Sequence, residues 1–218
     1  MPLILRLYED TFSGSHAGVA LPPLARMVFV VHGATTIDGK TLSDGEAWHG
    51  EGAASIEPGK NGVTLWRFEL SGSGSSGGTL LGPGPRSLEK LAAILEMVPA
   101  GDLLMRGDSV AFPPSGCAFL HRHCGPGIRC VLEGGIRIDT HGRSTSYGPG
   151  AAWFETGADP VFAQAAPDRP SRFIRVMILP RNLIGKSSFQ FVNEEDKAKP
   201  RVQQYKIFAD APIARPKD

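Results

Sequence analysis

A short pattern occurs twice in this chain. Residues 30–38 (VVHGATTID) match residues 131–139 (VLEGGIRID) without a gap, and after a small shift 44–48 (DGEAW) matches 149–153 (PGAAW). Each half then runs into a long apolar segment, 63–70 (VTLWRFEL) in the first and 172–179 (RFIRVMIL) in the second. Two matches in the same order, each built from strand, glycine turn, strand, glycine turn and tryptophan, imply two copies of one β-rich unit. With 218 residues the chain is long enough for two modest cores.

The local signals agree with a β-rich fold. Runs of β-branched and aromatic residues at 27–31, 63–70, 128–132, 136–139 and 172–179 are each bounded by Gly, Pro, Asp or Asn, and each reads as a strand between turns. The 27 glycines and 18 prolines are spread along the chain, as many tight turns require. One segment carries helical spacing: in 87–97 (SLEKLAAILEM), Ser87 is placed as a cap and Leu88, Leu91, Ile94 and Leu95 share a face. Ahead of it, 71–86 (SGSGSSGGTLLGPGPR) has too little apolar surface to order itself and reads as a linker. The expected organisation is a degenerate first half at 1–70, linker and helix at 71–103, a second domain at 104–192, and an extension at 193–218. In that extension 193–200 is charged and 205–208 offers one more short strand.

Several function classes are disfavoured. The net charge is +1 with no basic cluster, which argues against a nucleic-acid partner. No apolar run approaches the ~20 residues of a membrane span. The opening MPLILRLYED is too short in apolar residues, and broken by Arg6, to read as a secretion signal, so a cytoplasmic protein is expected. Cys117, Cys124 and Cys130 are odd in number and lack zinc-site spacing, and read mainly as small apolar residues. The GSGSSGG run lacks the Lys-Ser/Thr of a phosphate loop, and Ser109 and Ser115 have no nucleophile signature.

Residues 121–137 (HRHCGPGIRCVLEGGIR) resemble the first conserved motif of the cupin superfamily. That motif has two histidines one residue apart, a Pro/Gly loop, a glutamate, and a strand closing on Glu-Gly. His121 and His123 supply the pair, and 131–134 (VLEG) the strand end. Pro149-Gly150 with Trp153 fits the start of the second motif. The resemblance covers about 104–180, and reaches the first half through the repeat. It implies an all-β fold of two jelly-roll-like barrels, each with an interior pocket. Two of the family's four ligands are replaced here: Gly127 stands at the glutamate position and Val161 near the third histidine. In the first half Ala20, Pro22 and Arg26 occupy the ligand positions, so no metal is expected in the N-terminal barrel.

Residues two apart on a strand share a face, so His121 and His123 point into the barrel together. Paired imidazoles suit a divalent transition metal (Zn, Ni, Fe, Cu or Mn), and a third ligand would come from Glu155, Gln164, Cys124 or the substrate. Of these, Glu155 would complete the two-histidine, one-carboxylate set of iron oxygenases. Alternatively the histidines are pocket residues bonded to backbone. Arg129 shares the facing of Gly127, and either anchors a ligand carboxylate or pairs with Glu133, Glu155 or Asp159. Tyr147 and Trp153 are further candidates for substrate contact, although Trp153 and Trp48 also suit core packing. Two readings follow. One is a metal-dependent enzyme, dioxygenase-like or isomerase-like, acting on a small carboxylated or aromatic compound. The other is a non-catalytic binding or sensing protein with a degenerate metal site. A homodimer is expected in either case. A barrel serving mainly as an oligomer interface is the third possibility.

Overall fold

The computed structural model describes residues 2–14, 18–73, 78, 80 and 84–216. The chain divides into two compact units, Met1–Glu96 with Ile213–Asp218, and Met97–Pro212. The first holds β1 (Leu3–Phe12), β2 (Val19–Leu21), β3 (Ala25–Ile37), β4 (Lys40–Ser43), β5 (Ala47–Gly50), β6 (Ala54–Gly72) and β7 (Arg86–Leu95). They form a sheet in the order β4-β3-β6-β1-β7, with β2 on β6 and β5 on β3. Its apolar interior gathers Phe12, Val28, Val30, Ile37, Ile56 and Leu65.

The second unit begins with β8 (Leu103–Phe112), β9 (Cys117–His123), β10 (Gly127–Glu133), β11 (Ile136–Thr140) and β12 (Arg143–Tyr147). It continues with β13 (Ala152–Glu155), β14 (Val161–Ala165), β15 (Ser171–Pro180), β16 (Phe189–Phe191) and β17 (Gln204–Ile213). Two sheets result, β13-β10-β15-β8-β17 and β12-β11-β14-β9-β16. Between them Val110, Phe112, Val131, Ile138, Trp153 and Phe173 form the core. The fold is all-β: the helical pieces among the described residues are two 3-10 turns, Arg181–Leu183 and Glu194–Ala198. No helix among them is long and apolar enough to cross a membrane.

The repeat seen in the sequence is a repeat of hydrogen bonds. Gly45 N–H donates to Val30 O at 2.9 Å, and Gly150 N–H to Val131 O at 2.8 Å. Val30 N–H donates to Glu46 O at 2.9 Å, and Val131 N–H to Ala151 O at 3.0 Å. Trp48 lies opposite Val28, as Trp153 lies opposite Arg129. The turn glycines are required by the backbone: Gly33 has φ 93° and Gly134 φ 75°. A Cβ on Gly134 would also stand 2.2 Å from Pro170 O.

One expectation fails. The segment expected to be helical is strand β7, paired antiparallel along β1 from Leu3↔Leu95 to Thr11↔Arg86. Its 3–4 spacing produces no buried helical face, since Leu88 and Ile94 are 51% and 58% exposed while Ala93 and Leu95 are buried. The free edge of β1 supplies backbone partners that an isolated short helix lacks, and tertiary pairing overrides local propensity. Ser87 does not cap a helix; its hydroxyl donates to Asp10. In the Gly/Ser-rich stretch at 71–86, residues 74–77, 79 and 81–83 lie outside the described residues, while Ser71 and Gly72 end β6.

Gly134→Ala combines a left-handed backbone with a steric clash, whereas Gly142 has φ 69° but open space around its Cβ position. Urea unfolding is expected to show a loss of about 3 kcal/mol for Gly134→Ala against about 1 kcal/mol for Gly142→Ala. Equal losses would contradict the close approach at Pro170.

Candidate functional site

The polar residues of the C-terminal barrel lie one layer above its core. Asp108, Arg129, Glu155 and Arg175 each stand two residues from a core side chain on the same strand: Val110, Val131, Trp153 and Phe173. Strand alternation therefore turns all four inward. Register aligns Arg129 with Arg175, and Arg175 with Asp108, across β10, β15 and β8. His121 and His123 enter from β9. All six are buried.

Their contacts form two ion pairs and two neutral rings. Arg175 holds Asp108 with both ends of its fork, Nε to Oδ1 at 3.0 Å and Nη2 to Oδ2 at 2.7 Å. Arg129 Nη2 lies 2.7 Å from Glu155 Oε2, and its Nη1 donates to Gly127 O at 2.6 Å. The other Glu155 oxygen accepts from Trp153 Nε1 at 2.8 Å. His121 Nδ1 is 2.7 Å from the carbonyl of Phe119. A carbonyl only accepts, so the proton sits on Nδ1 and Nε2 keeps its lone pair. The same tautomer follows for His123, whose Nε2 is 3.4 Å from the donor Arg175 Nη1 and whose Nδ1 is 3.4 Å from Ser188 Oγ. The His121 ring stacks on Phe189 at 4.2 Å, with His123 edge-on to it at 4.9 Å.

Burial sets the protonation states. It lowers His121 to about 4, although Glu155 and the Phe119 carbonyl pull the other way. It takes His123 well below 6.5, helped by Arg175 and Arg129. Burial also lowers Arg129 to about 10, with Glu155 opposing and the nearby Arg175 adding to the shift. Arg175 is raised because Asp108 outweighs its burial. The interior thus carries two cations, two carboxylates and two neutral imidazoles.

That balance decides the fit of a metal. Two added positive charges would be uncompensated in a buried layer, which is strongly unfavourable. The ligand positions are blocked as well. A Cβ on Gly127 would meet Val176 O at 2.4 Å, so the backbone there leaves no room for a side chain. Val161, opposite His121, is part of the apolar core. Glu155 is the cross-strand partner of Gly127, which brings a carboxylate near the histidines from the neighbouring strand. Its Oε2 is 3.9 Å from His123 Nε2, but the same oxygen is held by Arg129. Gln164 alternates with the buried Ala163 and Ala165 and so faces away from the core. Cys124 packs beside Leu104, Met177 and Leu179, and its sulfur accepts from Gln190 Nε2 at 3.4 Å. Among the described residues no three His, Cys, Asp or Glu side chains are arranged to hold a metal ion. In this arrangement the residues present do not fit one.

Little room is left inside. The interior cavity is about 20 Å³, enough for at most one water. Trp153 belongs to the core and Tyr147 stacks on it at 4.9 Å. A larger cleft of about 310 Å³ lies at the mouth, separated from the interior by His123, Arg175, Phe189 and Tyr205. Arg129, Tyr147 and Trp153 do not line it. Arg106 in the cleft is saturated by Asp210 and the carbonyls of Lys186 and Leu183, each at 2.7 Å. Arg201 lies against aromatic rings instead, 5.2 Å from the centroid of Phe189 and 4.7 Å from that of Phe191. Tyr205 is half-exposed at the cleft, and partial burial raises its phenol further above the usual value. Sequence reasoning did not single out Asp108, Arg175, Arg201 or Tyr205. For Arg175 the signal was a charge inside a mostly apolar strand.

No protein-family model and no curated protein sequence matches the chain. Solved structures do. A variant of Bacillus subtilis oxalate decarboxylase aligns over 91% of this chain and 73% of its own, at 12% identity and a TM-score of 0.58. AerE from Microcystis aeruginosa aligns over 83% and 89%, at 11% identity and a TM-score of 0.54. A cupin 2 conserved barrel domain protein from Leptotrichia buccalis aligns over 79% and 84%, at 14% identity and a TM-score of 0.48. Likeness at this level of identity concerns the fold, here an all-β protein of jelly-roll-like barrels. That fold is the cupin fold.

The His121 ring makes stability pH-dependent. Its folded value of about 4 lies below the 6.5 of an ordinary histidine, so between those values the unfolded chain binds a proton that the native chain does not. Stability is therefore lost as pH falls through this window, by up to about 3 kcal/mol from this group. Urea unfolding at pH 7 and pH 4 is expected to show a drop smaller by about 2–3 kcal/mol in His121→Gln than in wild type. An identical drop would contradict the assignment.

Proposed function

We propose that this chain is a small-molecule-binding protein of the cupin fold, taking a small carboxylated ligand at the mouth of its C-terminal barrel and holding no resident metal. The observation that carries this reading is the contrast between a charge-balanced interior with only about 20 Å³ of free space and a cleft of about 310 Å³ that presents cations. Among the described residues Arg201 and Lys186 have no ion-pair partner, while Arg106 and Arg175 are saturated. An Arg held against two aromatic rings is partly pre-organised, and with no ion-pair partner its N–H groups suit a carboxylate. Phe189, Tyr205 and Ile207 add apolar wall, which suits a ligand with a hydrocarbon or aromatic body.

A metal-dependent dioxygenase-like or isomerase-like enzyme is the second reading. It is favoured by the gathering of His121, His123 and Glu155 at one end of the barrel, and opposed by Arg129 on the Glu155 carboxylate. The likeness to oxalate decarboxylase is one of fold and assigns no substrate. We also place the chain in the cytoplasm as a homodimer. Three free thiols suit a reducing compartment, and the exposed Leu88 and Ile94 on edge strand β7 suit pairing with a second copy.

Calorimetric titration with benzoate and with small aliphatic carboxylates, against inorganic phosphate as a non-carboxylate anion, tests the reading. A carboxylate is expected to bind, and Arg201→Ala to weaken it at least about tenfold, the loss of one charge-assisted contact. Absence of binding by every carboxylate, or unchanged affinity in Arg201→Ala, would overturn it.

A further inference from the structure

We infer that Arg129 stands in for a divalent cation in the C-terminal barrel, and that its guanidinium keeps closed a latent metal site of His121, His123 and Glu155. The inference rests on the reading that the interior takes no metal, and it is independent of what the cleft binds.

Three features lead to it. The first is geometry. His121 and His123 both place their proton on Nδ1, so both Nε2 atoms are lone-pair acceptors; that of His123 takes only a long 3.4 Å contact from Arg175 Nη1. His123 Nε2 lies 3.9 Å from Glu155 Oε2. Two imidazoles from one sheet and one carboxylate from the other are the donor set that divalent transition metals accept.

The second is competition for one atom. Glu155 Oε2, the oxygen that faces His123, is the oxygen that Arg129 Nη2 contacts at 2.7 Å. Both Nη2 and Oε2 lack a hydrogen-bond partner despite that distance, so charge, not directed hydrogen bonding, holds this contact. A guanidinium in that position does for the carboxylate what a bound cation would do. It neutralises the charge and fixes the orientation, with Trp153 Nε1 holding the other oxygen at 2.8 Å.

The third is the charge ledger of the layer. Arg129 and Arg175 balance Asp108 and Glu155, both pairs buried. Replacing Arg129 with a neutral side chain leaves Glu155 as an uncompensated buried anion beside two imidazole lone pairs, in the volume the guanidinium vacated. Such an anion must be protonated, hydrated or paired, and a divalent cation is the partner the surrounding donors favour.

The test uses full-length protein purified without an affinity tag and equilibrated with cobalt(II) at pH 7.5. Readouts are elemental analysis, the visible absorption of ligand-bound cobalt, and the melting temperature with and without the metal. Wild type is expected to take up no cobalt. Arg129→Met, and Arg129→Gln as a second variant, are expected to take up about one per chain and to gain thermal stability from it. Arg129→Met/His123→Ala is expected to lose that uptake, and Arg129→Lys, which keeps a cation in place, to bind none. A variant destabilised by its unpaired Glu155 is expected to regain cooperative melting when cobalt is added. The inference is overturned by stoichiometric cobalt in wild type that His123→Ala abolishes. It is equally overturned if neither neutral variant binds cobalt, folded or unfolded. Failure of carboxylates to bind at the cleft would leave all of these outcomes standing.

Discussion

The ion pair between Arg129 and Glu155 shapes the interior of the C-terminal barrel. An isolated charge at that depth is untenable, so each member requires the other, and breaking a buried pair typically costs about 3–5 kcal/mol. Arg129 occupies the space beside the histidines, Glu155 is turned toward it, and the interior closes to about 20 Å³. The imidazoles then sit among guanidinium groups and stay neutral. The open space lies outside that interior, in the cleft, where Arg201 and Lys186 have no acidic partner among the described residues.

The N-terminal barrel reaches a related state by other residues. Arg67 sits opposite Val28, as Arg175 sits opposite Arg129, so the repeat places an arginine at one register position in both halves. There Arg67 binds Asp10, with Nε to Oδ2 at 2.6 Å, and Glu69 at 2.7 Å, while Arg26 joins Glu69 at 3.1 Å. Arg26 further donates to Pro22 O and to Gly52 O. Arg26 stands where the family motif has its glutamate, and Arg67 is buried among the same ladder of charges. A buried network of this kind is a weak source of net stability, but it is costly to break and so specifies one arrangement.

The sequence made the architecture legible where a residue type is dictated by backbone geometry. The glycine turns and tryptophans of the repeat were visible because Gly33 and Gly134 need positive φ and because Trp48 and Trp153 occupy matching register positions. Segment 87–97 was misread because its apolar spacing fits a helix equally well, and only the unpaired edge of β1 decides for a strand. At the site, the shared facing of His121 and His123 followed from strand alternation, whereas Arg129 was left open between a ligand anchor and a pair with Glu133, Glu155 or Asp159. Asp108 and Arg175 were missed because their partnership spans 67 residues of sequence. Arg201 was missed because its meaning comes from Phe189 and Phe191 beneath it, and no local pattern encodes that contact.

The central claim is that Arg129 and Glu155 act as one buried unit. A double-mutant cycle in urea unfolding measures this directly, with Arg129→Met, Glu155→Gln and the double variant compared with wild type. The account predicts a coupling of about 2–4 kcal/mol, so that the double variant loses clearly less than the sum of the two single losses. A coupling near zero, with the two losses simply adding, would contradict it.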